Sequence, residues 1–290
     1  MIVGGNMKTG MVIVHYNDSE SVNALINNIK DYKILDSIVI VDNNSKKEEK
    51  EKIIKDSRIE IIENNDNKGF SYAINIGTKY LINKLGKCNL VISNSDIIIN
   101  SESDLKELTS LLDNKDIGVV APTILENGSI NRGWKNPTPL IDALMNIVYI
   151  HKHIRKKHIF YNEEHYKDKI SYVDVVSGAF FLIKSDVLEE INFLDENVFL
   201  YYEENILAKR IKDINKKTIV SNEIRIIHNH SVSIDKNIKK IKKLKLQKKS
   251  QYYFQTRYNN ANVFEKLLLK MTAFLSRCIL RIVYTIKDMK

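Results

Sequence analysis

The chain has 290 residues, of which 43% are hydrophobic and 28% are charged, with 10 glycines, 3 prolines and 2 cysteines. This composition is typical of an ordinary globular protein and excludes collagen-like, disulfide-stapled and wholly disordered classes. No apolar run reaches the roughly 18 to 20 uncharged residues that span a bilayer, so an ordinary transmembrane helix is excluded as well. The length is sufficient for one large α/β domain, or for a domain with an appendage.

The net charge of +9 is distributed unevenly along the chain. From Ser231 to Lys290 there are 15 basic and 3 acidic residues, a net charge of +12. The other 30 basic and 33 acidic residues, in positions 1–230, give −3. Because a basic tail attracts polyanions, the charge alone indicates nucleic acid or an anionic membrane face as a partner.

Cysteine usage and the N-terminus both favour a cytoplasmic location. Cys88 and Cys278 lie far apart and form neither a metal-type pair nor a disulfide pattern, which is typical of a reducing compartment. The first residues lack the charged segment and the long apolar segment of a secretory signal.

Strands and helices are predicted to alternate along the chain. The predicted strands are 11–16, 37–41, 59–62, 89–93, 117–121, 173–176, 179–183, 218–220 and 224–227. The predicted helices are 19–29, a Lys/Glu-rich stretch after Ser45, 69–85, 101–112 and 203–214, with a strand, a loop and one helix expected within 123–169. Apolar strands that alternate with helices at these intervals indicate a mostly parallel sheet with helices on both faces.

Polar residues follow three of these strands at their carboxyl ends. The clusters are Tyr16-Asn17-Asp18, Asp42-Asn-Asn-Ser45 and Asn94-Ser-Asp96. In α/β sheets, ligands bind beyond the carboxyl ends of the strands. The sequence therefore predicts a binding site at this edge of the sheet.

Six motifs, in their order and spacing, resemble those of family 2 glycosyltransferases with the GT-A fold. They are Asp42-Asn-Asn-Ser45, Asn67-Lys-Gly69-Phe70…Asn75, Asn94-Ser-Asp96, Ser177-Gly178-Ala179, Tyr202-Glu203-Glu204…Arg210 and His228…Ser233. The pattern is most similar to the bacterial branch that builds capsule, O-antigen and cell-wall rhamnan chains. The resemblance implies an α/β GT-A catalytic domain over 10–233, followed by a basic, amphipathic helical tail over 234–290. It also implies an inverting transfer of a sugar, rhamnose by preference, from a dTDP- or UDP-sugar to a glycan or lipid-linked acceptor.

The resemblance implies that the nucleotide sugar is bound by seven residues: Tyr16, Asn17, Asp42, Asn67, Gly69, Asn75 and Asn94. A carboxylate such as that of Asp42 accepts hydrogen bonds from ring N–H groups or ribose hydroxyls. Gly69 would let the backbone approach the nucleotide, and the helix N-terminus there favours the negative diphosphate. The alternative is that Asp42 and the Asn67–Gly69 segment only form turns that lead into helices.

A divalent cation, Mg²⁺ or Mn²⁺, is implied by Asn94-Ser95-Asp96, which stands where the family has Asp-x-Asp. The first Asp is replaced by Asn, so Asp96 is the remaining carboxylate, and substrate phosphates and waters would complete its site. His228 is the second expected metal ligand, with His230 as a nearby alternative.

The resemblance implies that Glu203 and Glu204 are the catalytic residues, because they stand where the family has a Glu-Asp pair at the start of a helix. Inverting transfer needs a general base that takes the proton of the acceptor hydroxyl, and Glu204 is assigned this role. Glu203 would bind the acceptor or order the site. The alternative is that both carboxylates only stabilise a helix N-terminus. Gly178 and Trp134 are expected on the acceptor side, although Trp134 could equally pack in the core.

The tail contains eight lysines between Lys236 and Lys249, followed by a predicted apolar helix from Asn262 to Lys287, whose apolar positions recur at 3–4 spacing from Leu267 to Val283. Lys270, Arg277 and Arg281 fall mostly on another face of that helix, a pattern of interfacial helices. We expect peripheral attachment to the anionic inner face of the cell membrane. The alternative is a helix pair that covers the domain or forms a homodimer.

Three other functions are alternatives to glycosyl transfer. Nucleic-acid binding by the tail has no accompanying helix-turn-helix, zinc or RNA-binding signature, so no nucleic-acid partner is expected. A nicotinamide enzyme would need a Gly-x-Gly-x-x-Gly turn after the first strand, and Tyr16-Asn-Asp-Ser stands there. A transferase-like module kept only for binding would accommodate the departures at Asn94 and Glu204.

Overall fold

The structure is a computed structural model that describes residues 7–229 and 240–288. The strands are β1 (Lys8–His15), β2 (Ser37–Asp42), β3 (Ile59–Glu63), β4 (Cys88–Asn94), β5 (Ile97–Ile99), β6 (Ile117–Glu126), β7 (Ser129–Asn131), β8 (Ile170–Val173), β9 (Phe180–Lys184) and β10 (Lys217–His228). The helices are α1 (Ser19–Ile29), α2 (Lys47–Lys50), α3 (Phe70–Leu85), α4 (Glu102–Leu111), α5 (Pro139–Met145), α6 (His151–His158), α7 (Ser185–Glu190), α8 (Glu203–Asp213), α9 (Lys240–Arg257) and α10 (Val263–Asp288). A 3₁₀ turn spans Glu163–Tyr166.

The strands form one sheet in the order β3-β2-β1-β4-β9-β6-β10-β5, with β7 on β6 and β8 on β10. The half containing β3, β2, β1 and β4 is parallel, and β6 is parallel to β10. β9 is antiparallel to both β4 and β6, and β5 and β8 are antiparallel to β10. The α/β class is confirmed, but the sheet is mixed rather than mostly parallel. The two residues between β6 and β7, for example, form a hairpin, because so short a connection cannot make the crossover that parallel pairing requires.

Alternating side chains of the buried strands pack into two cores, one on each face of the sheet. On β1, Met11 and Ile13 face the core that includes Leu25 of α1, whereas Val12 faces the core that includes Leu81 of α3. All three β1 residues are completely buried. The central strands are therefore covered by helices on both faces, as the apolar runs predict.

The strands and helices after residue 122 differ more from the predicted ones. The strand expected at 173–176 ends at Val173, and Val175 instead makes an isolated bridge with Trp134. The two strands expected at 218–220 and 224–227 are one strand, β10, with a register shift between Ser221 and Arg225. The segment 123–169 holds two helices, α5 and α6, and not one.

The first helix of the basic tail packs directly on the body. Phe254 of α9 is completely buried in a cluster with Val198 and Ile206. Arg210 of α8 donates to the Tyr258 hydroxyl at 2.7 Å, and that hydroxyl donates to Asp195 Oδ2 at 2.6 Å. The boundary expected at 233–234 lies outside the described residues, and α9 packs against the body that precedes it.

We predict that Phe254→Ala lowers the free energy of unfolding by about 3 to 5 kcal/mol, because it leaves a cavity where a fully buried ring packs. Chemical denaturation of the full chain measures this change. The matched control is Phe264→Ala on α10, where the ring is 69% exposed and an effect within about 0.5 kcal/mol is expected. Equal losses in the two variants would show that α9 does not stabilise the body.

Candidate active site

A cleft with a cavity volume of about 1120 Å³ opens at the carboxyl edge of the sheet. Seven residues predicted for catalysis, metal, donor or acceptor line this one cleft: Asn94, Asp96, Trp134, Gly178, Glu203, Glu204 and His228. They come from five separate stretches of sequence, so their convergence is a property of the fold.

The antiparallel strands bring these residues together. Ser93 of β4 pairs with Phe180 of β9, and the Asn94 N–H donates to the Ala179 carbonyl at 2.8 Å, so Gly178 lies beside the end of β4. In the same way, Ile97 of β5 pairs with His228, the last residue of β10. The turn that carries Asp96 therefore meets the end of β10.

Asp96 and His228 are in direct contact, with His228 Nε2 3.1 Å from Asp96 Oδ1. Both residues are only 8% exposed. On the other side of the imidazole, Nδ1 lies 3.5 Å from Oε1 of Glu126. The sequence analysis missed Glu126 because it ended that strand at Ala121, whereas β6 continues and pairs Glu126 with His228.

The contact between Asp96 and His228 fits a pair of metal ligands. Two ligands at about 2.1 Å from an octahedral ion lie about 3 Å apart when they are adjacent, which matches the observed separation. Within the described residues, no group of three or more His, Cys, Asp or Glu side chains is arranged to hold a metal ion. A cation held by Asp96 and His228 would take its other ligands from substrate oxygens and water, and this role of the two residues stays a prediction. The alternative ligand His230, and Ser233 of the same motif, lie outside the described residues.

Glu203 and Glu204 begin α8 and project into the cleft. Each side chain is partly buried, and one oxygen of each, Oε2, is buried with no hydrogen-bond partner among the described residues. Burial raises the pKa of Glu204 to about 7. Burial, and then the neighbouring Glu204, raises the pKa of Glu203 well above its usual range. The helix dipole would lower both pKa values, so the effect of burial is the larger of the two. The resulting pKa of Glu204 lies in the range that suits a general base near neutral pH.

The backbone before this pair is strained. Tyr201 and Tyr202 both adopt left-handed conformations, with φ of 69° and 70°. For residues other than glycine, each such conformation costs of order 1 to 3 kcal/mol and clusters at functional sites. Nothing in the sequence signals this turn, because neither position is Gly, Asn or Asp.

Asp42 is completely buried and orders the turn after β2. It accepts from His15 Nδ1 at 2.7 Å and from the Ser45 N–H at 2.9 Å. His15 Nε2 accepts from the Asp18 N–H at 3.2 Å, so the proton of the ring is on Nδ1. Burial alone would raise the pKa of Asp42, but the hydrogen bonds from His15 and Ser45 lower it to about 2. The geometry matches the turn-forming alternative, and a nucleotide contact by Asp42 stays a prediction.

Asn17 connects the ends of the first two strands. Its N–H donates to Ser45 Oγ at 2.9 Å, and its Oδ1 accepts from the Lys46 N–H at 2.8 Å. Tyr16, next to it, is partly buried. These residues lie at the predicted edge of the sheet, beside β1 and β2, and their contact with the base stays a prediction.

Gly69 and Asn75 contact the segment 194–199, which precedes α8 in the chain. A Cβ on Gly69 (φ 105°) would lie 2.4 Å from the Phe199 carbonyl oxygen, so the approach of Phe199 already requires glycine here, and a contact with the nucleotide stays a prediction. Asn75 is buried, donates to the Leu194 carbonyl at 2.9 Å and accepts from the Leu194 N–H at 3.0 Å. Asn67 Oδ1 accepts from the Gly69 N–H at 3.1 Å, which fixes the turn before α3.

Trp134 and Gly178 both line the cleft. Trp134 is partly exposed and is fixed by two backbone hydrogen bonds of 2.9 Å with Val175. The exposure argues against the core-packing alternative. A Cβ on Gly178 would make an ordinary van der Waals contact with the Phe70 ring at 3.8 Å, so this position has room for a small side chain. Their contacts with an acceptor stay predictions.

The sheet and the paired carboxylates in its cleft define a transferase for nucleotide sugars. Residues 11–191 match the family described as glycosyl transferase family 2, and the chain belongs to this family. It is therefore a glycosyltransferase that moves a sugar from a nucleotide sugar.

Two relatives and two solved structures are similar to the chain. The low-salt glycan biosynthesis hexosyltransferase Agl10 of Haloferax volcanii is 26% identical over 275 residues, which is 95% of this chain and 79% of that protein. The dTDP-rhamnosyl transferase RfbF of Shigella flexneri is 25% identical over 219 residues, 75% of this chain and 67% of that protein. The mannosyltransferase PcManGT of Pyrobaculum calidifontis, solved with GDP-Man and Mn²⁺, has a TM-score of 0.60, 13% identity and coverage of 93% and 70%. GalNAc-T7, solved with UDP, GalNAc and Mn²⁺, has a TM-score of 0.57 and 16% identity, and the match covers 78% of this chain but only 45% of that one. The predicted GT-A fold is confirmed.

We predict that the transfer rate rises with pH and levels off above about 7, because the general base must be deprotonated and the pKa of Glu204 is about 7. Glu204→Gln should lower kcat at least about a hundredfold and abolish this pH dependence. The matched variant is Glu203→Gln, which removes the neighbouring carboxylate. A Glu204→Gln protein that turns over at the wild-type rate would contradict the assignment and direct attention to Glu203.

Proposed function

We propose that this chain is an inverting, divalent-cation-dependent hexosyltransferase, with rhamnose as the preferred sugar, that extends a glycan or lipid-linked acceptor in bacterial surface polysaccharide assembly. One observation supports the proposal above the others. Two carboxylates with buried, unpartnered oxygens face the same cleft as the Asp96–His228 pair. In this proposal the carboxylates would supply the base and the Asp96–His228 pair would hold the cation within the same cleft.

In this proposal Glu204 accepts the proton of the acceptor hydroxyl as the hydroxyl oxygen bonds to the anomeric carbon. The bond from that carbon to the diphosphate oxygen breaks in the same displacement, and the nucleoside diphosphate leaves with the bonding electrons. The new bond forms on the face opposite the leaving group, so the configuration inverts. Burial, and then the charge of Glu204, raises the pKa of Glu203 well above its usual range, so Glu203 stays protonated where Glu204 ionises, which favours a role for Glu203 in ordering the site.

Asp96 and His228 would hold the cation, with the amide of Asn94 close by on the same turn. A bound Mg²⁺ or Mn²⁺ would supply positive charge to the departing diphosphate. Two solved structures with the same fold contain Mn²⁺ beside a nucleotide or nucleotide sugar, which supports this proposal.

The donor is proposed to be dTDP-rhamnose, with a UDP-hexose as the alternative. The similarity to a dTDP-rhamnosyl transferase supports the first, and the similarity to a hexosyltransferase is compatible with both. Trp134 and Gly178 are proposed to contact the acceptor, because sugars stack on partly exposed aromatic rings.

The second tail helix is proposed to lie on an anionic membrane surface. α10 packs on the body with a face that contains Leu269, Thr272 and Ser276, each at most 7% exposed. Its large apolar side chains face outward instead. They are Phe264, Leu267, Met271, Phe274 and Leu275, each between 53% and 69% exposed. A helix normally buries its apolar face, so this reversed arrangement indicates an apolar partner.

Charge favours a lipid surface as that partner. At about 100° per residue, Lys270, Arg277 and Arg281 fall along one border of the exposed apolar stripe. All three are exposed, and each basic residue near an anionic leaflet contributes on the order of 1 kcal/mol. Within the part of the chain that is described, no helix has the length and apolarity needed to cross a bilayer. The proposed mode is therefore attachment in the plane of the interface.

We predict that one nucleotide of the series dTDP, UDP and GDP, or its sugar, raises the melting temperature of the full chain, and that Mn²⁺ increases the shift. A ligand present at a hundred times its dissociation constant raises the free energy of unfolding of the protein by about 2.7 kcal/mol. Asp96→Ala should remove the increase due to Mn²⁺, whereas the surface control Asp113→Asn should not. No shift with any nucleotide would contradict the proposal and favour a non-catalytic module.

We also predict that the protein co-sediments with vesicles that contain one quarter phosphatidylglycerol in phosphatidylcholine, and less with phosphatidylcholine alone. Leu267→Gln combined with Phe274→Gln should weaken binding at least about tenfold, because each side chain loses apolar contact with lipid. The control is Ile61→Gln on β3, a side chain that is 36% exposed. A homodimer that dissociates in the double variant, without vesicle binding by the wild type, would overturn the membrane proposal.

A further inference from the structure

Asp142 of α5 is a completely buried carboxylate that lies behind the catalytic pair. Its Oδ1 accepts from the Tyr202 hydroxyl at 2.8 Å, and its Oδ2 accepts from Gln255 Nε2 of α9 at 2.5 Å. Its backbone carbonyl accepts from Gln251 Nε2, also of α9, at 3.3 Å. The carboxylate thus joins three elements: α5, the residue before α8, and the first tail helix.

The partner on the catalytic side, Tyr202, is the residue that immediately precedes Glu203 and has φ of 70°. Two contacts hold its side chain in this strained conformation. The hydroxyl is bonded to Asp142, and the ring packs against Phe254 of α9, with centroids 5.6 Å apart. Because the backbone of Tyr202 determines where α8 begins, these contacts also determine where the two glutamates point.

The helix α9 reaches the cleft itself. Lys243, Leu244, Gln247, Lys248 and Gln251, which recur at helical spacing on one face, line the same cavity as Glu203 and Glu204. Gln255, one turn beyond Gln251, continues toward Asp142 and also donates to the Pro137 carbonyl at 3.1 Å. The first tail helix is therefore a wall of the active site as well as a support behind it.

We propose that Asp142 and Gln255 are positioning residues for the glycosyl transfer, and that through Tyr202 they hold Glu203 and Glu204 in the reactive geometry. This inference rests on the proposed function of the glutamate pair. It gives α9 a role in catalysis that is separate from any membrane attachment by α10.

The electrostatics of Asp142 support this role. Burial raises the pKa of Asp142 to about 6, although the hydrogen bonds from Gln255 and Tyr202 lower it. Lys248 of α9 is the cation that faces it and favours the ionised form. At pH 7 and above the group is mainly a carboxylate, and hydrogen bonds to a carboxylate are stronger than those between neutral groups. A buried charge destabilises the fold unless it is well paired, so its presence here is consistent with a positioning function.

The test compares two Tyr→Phe substitutions, each of which removes one side-chain hydroxyl. Tyr202→Phe removes the hydrogen bond to Asp142, whereas Tyr253→Phe, the matched control, removes a hydrogen bond from α9 to another buried carboxylate, Asp195 Oδ2, at 2.9 Å. Initial rates are measured in the full chain as nucleoside diphosphate release from dTDP-rhamnose, UDP-glucose and GDP-mannose with Mn²⁺. Small displacements of a catalytic group cost up to about a hundredfold in rate.

We expect Tyr202→Phe to lower kcat about 10- to 100-fold with an unchanged KM for the donor, and Tyr253→Phe to stay within about twofold of wild type. Gln255→Leu should reproduce the Tyr202→Phe effect, and the double variant should be no slower than the single ones. These variants should also shift the pH at which the rate levels off, which simple loss of stability would not do.

Two outcomes would overturn the inference: wild-type kcat in Tyr202→Phe and Gln255→Leu, or an equal loss in Tyr253→Phe. A wild-type protein that releases no nucleoside diphosphate from any donor would instead count against the proposed function. The nucleotide-induced shift in melting temperature, measured on the same variants, shows whether each one is folded and binds the donor.

Discussion

The active site depends on one topological constraint, the reversal of strand direction at β9 in the middle of the sheet. In a fully parallel sheet, the carboxyl ends of β4, β6 and β10 would each carry their own loop, and the segments that enter the strands would lie at the opposite edge. Because β9 runs antiparallel between β4 and β6, the loop before it, with Gly178, reaches the same edge as Asn94. β5 has the same effect on the other side, where its pairing with β10 brings Asp96 to His228.

The charged groups of this edge fall into two classes that differ in their partners. The Asp42 carboxylate is buried, but hydrogen bonds from His15 and Ser45 stabilise its charge and lower its pKa. Glu203 and Glu204 each leave one buried oxygen without a hydrogen bond among the described residues, and burial raises their pKa values. A satisfied carboxylate maintains structure, whereas an unsatisfied one in a cleft is available to a substrate proton. This contrast separates the turn after β2 from Glu203 and Glu204, the proposed catalytic pair, although sequence motifs alone do not distinguish the two.

The regular strands and helices of the first 120 residues were predictable because apolar runs and 3–4 spacing report burial directly. The cleft residues were predictable only as a set, through motifs whose order resembles that of a family. The sequence could not predict Glu126, His15 or Asp142, since each acquires its role from a partner at least 27 positions away in the sequence. It also could not predict the steric contact with Phe199, which requires glycine at position 69 whether or not a nucleotide approaches there. For the tail, the sequence predicted a basic, amphipathic helical segment with a helix pair that covers the domain as the alternative. The first tail helix packs against the body, and the second exposes its apolar side chains.

The central claim is that a single displacement, with Glu204 as the base, transfers the sugar. The most direct test follows the sugar released from dTDP-rhamnose into water by NMR, within the first minutes before the free sugar equilibrates between its anomers. With a single displacement, we predict that the first-formed rhamnose has the anomeric configuration opposite to that in the donor. We also predict that Glu204→Gln abolishes its formation. Release with retained configuration would contradict the account, because it would require a second displacement that the proposed mechanism does not contain.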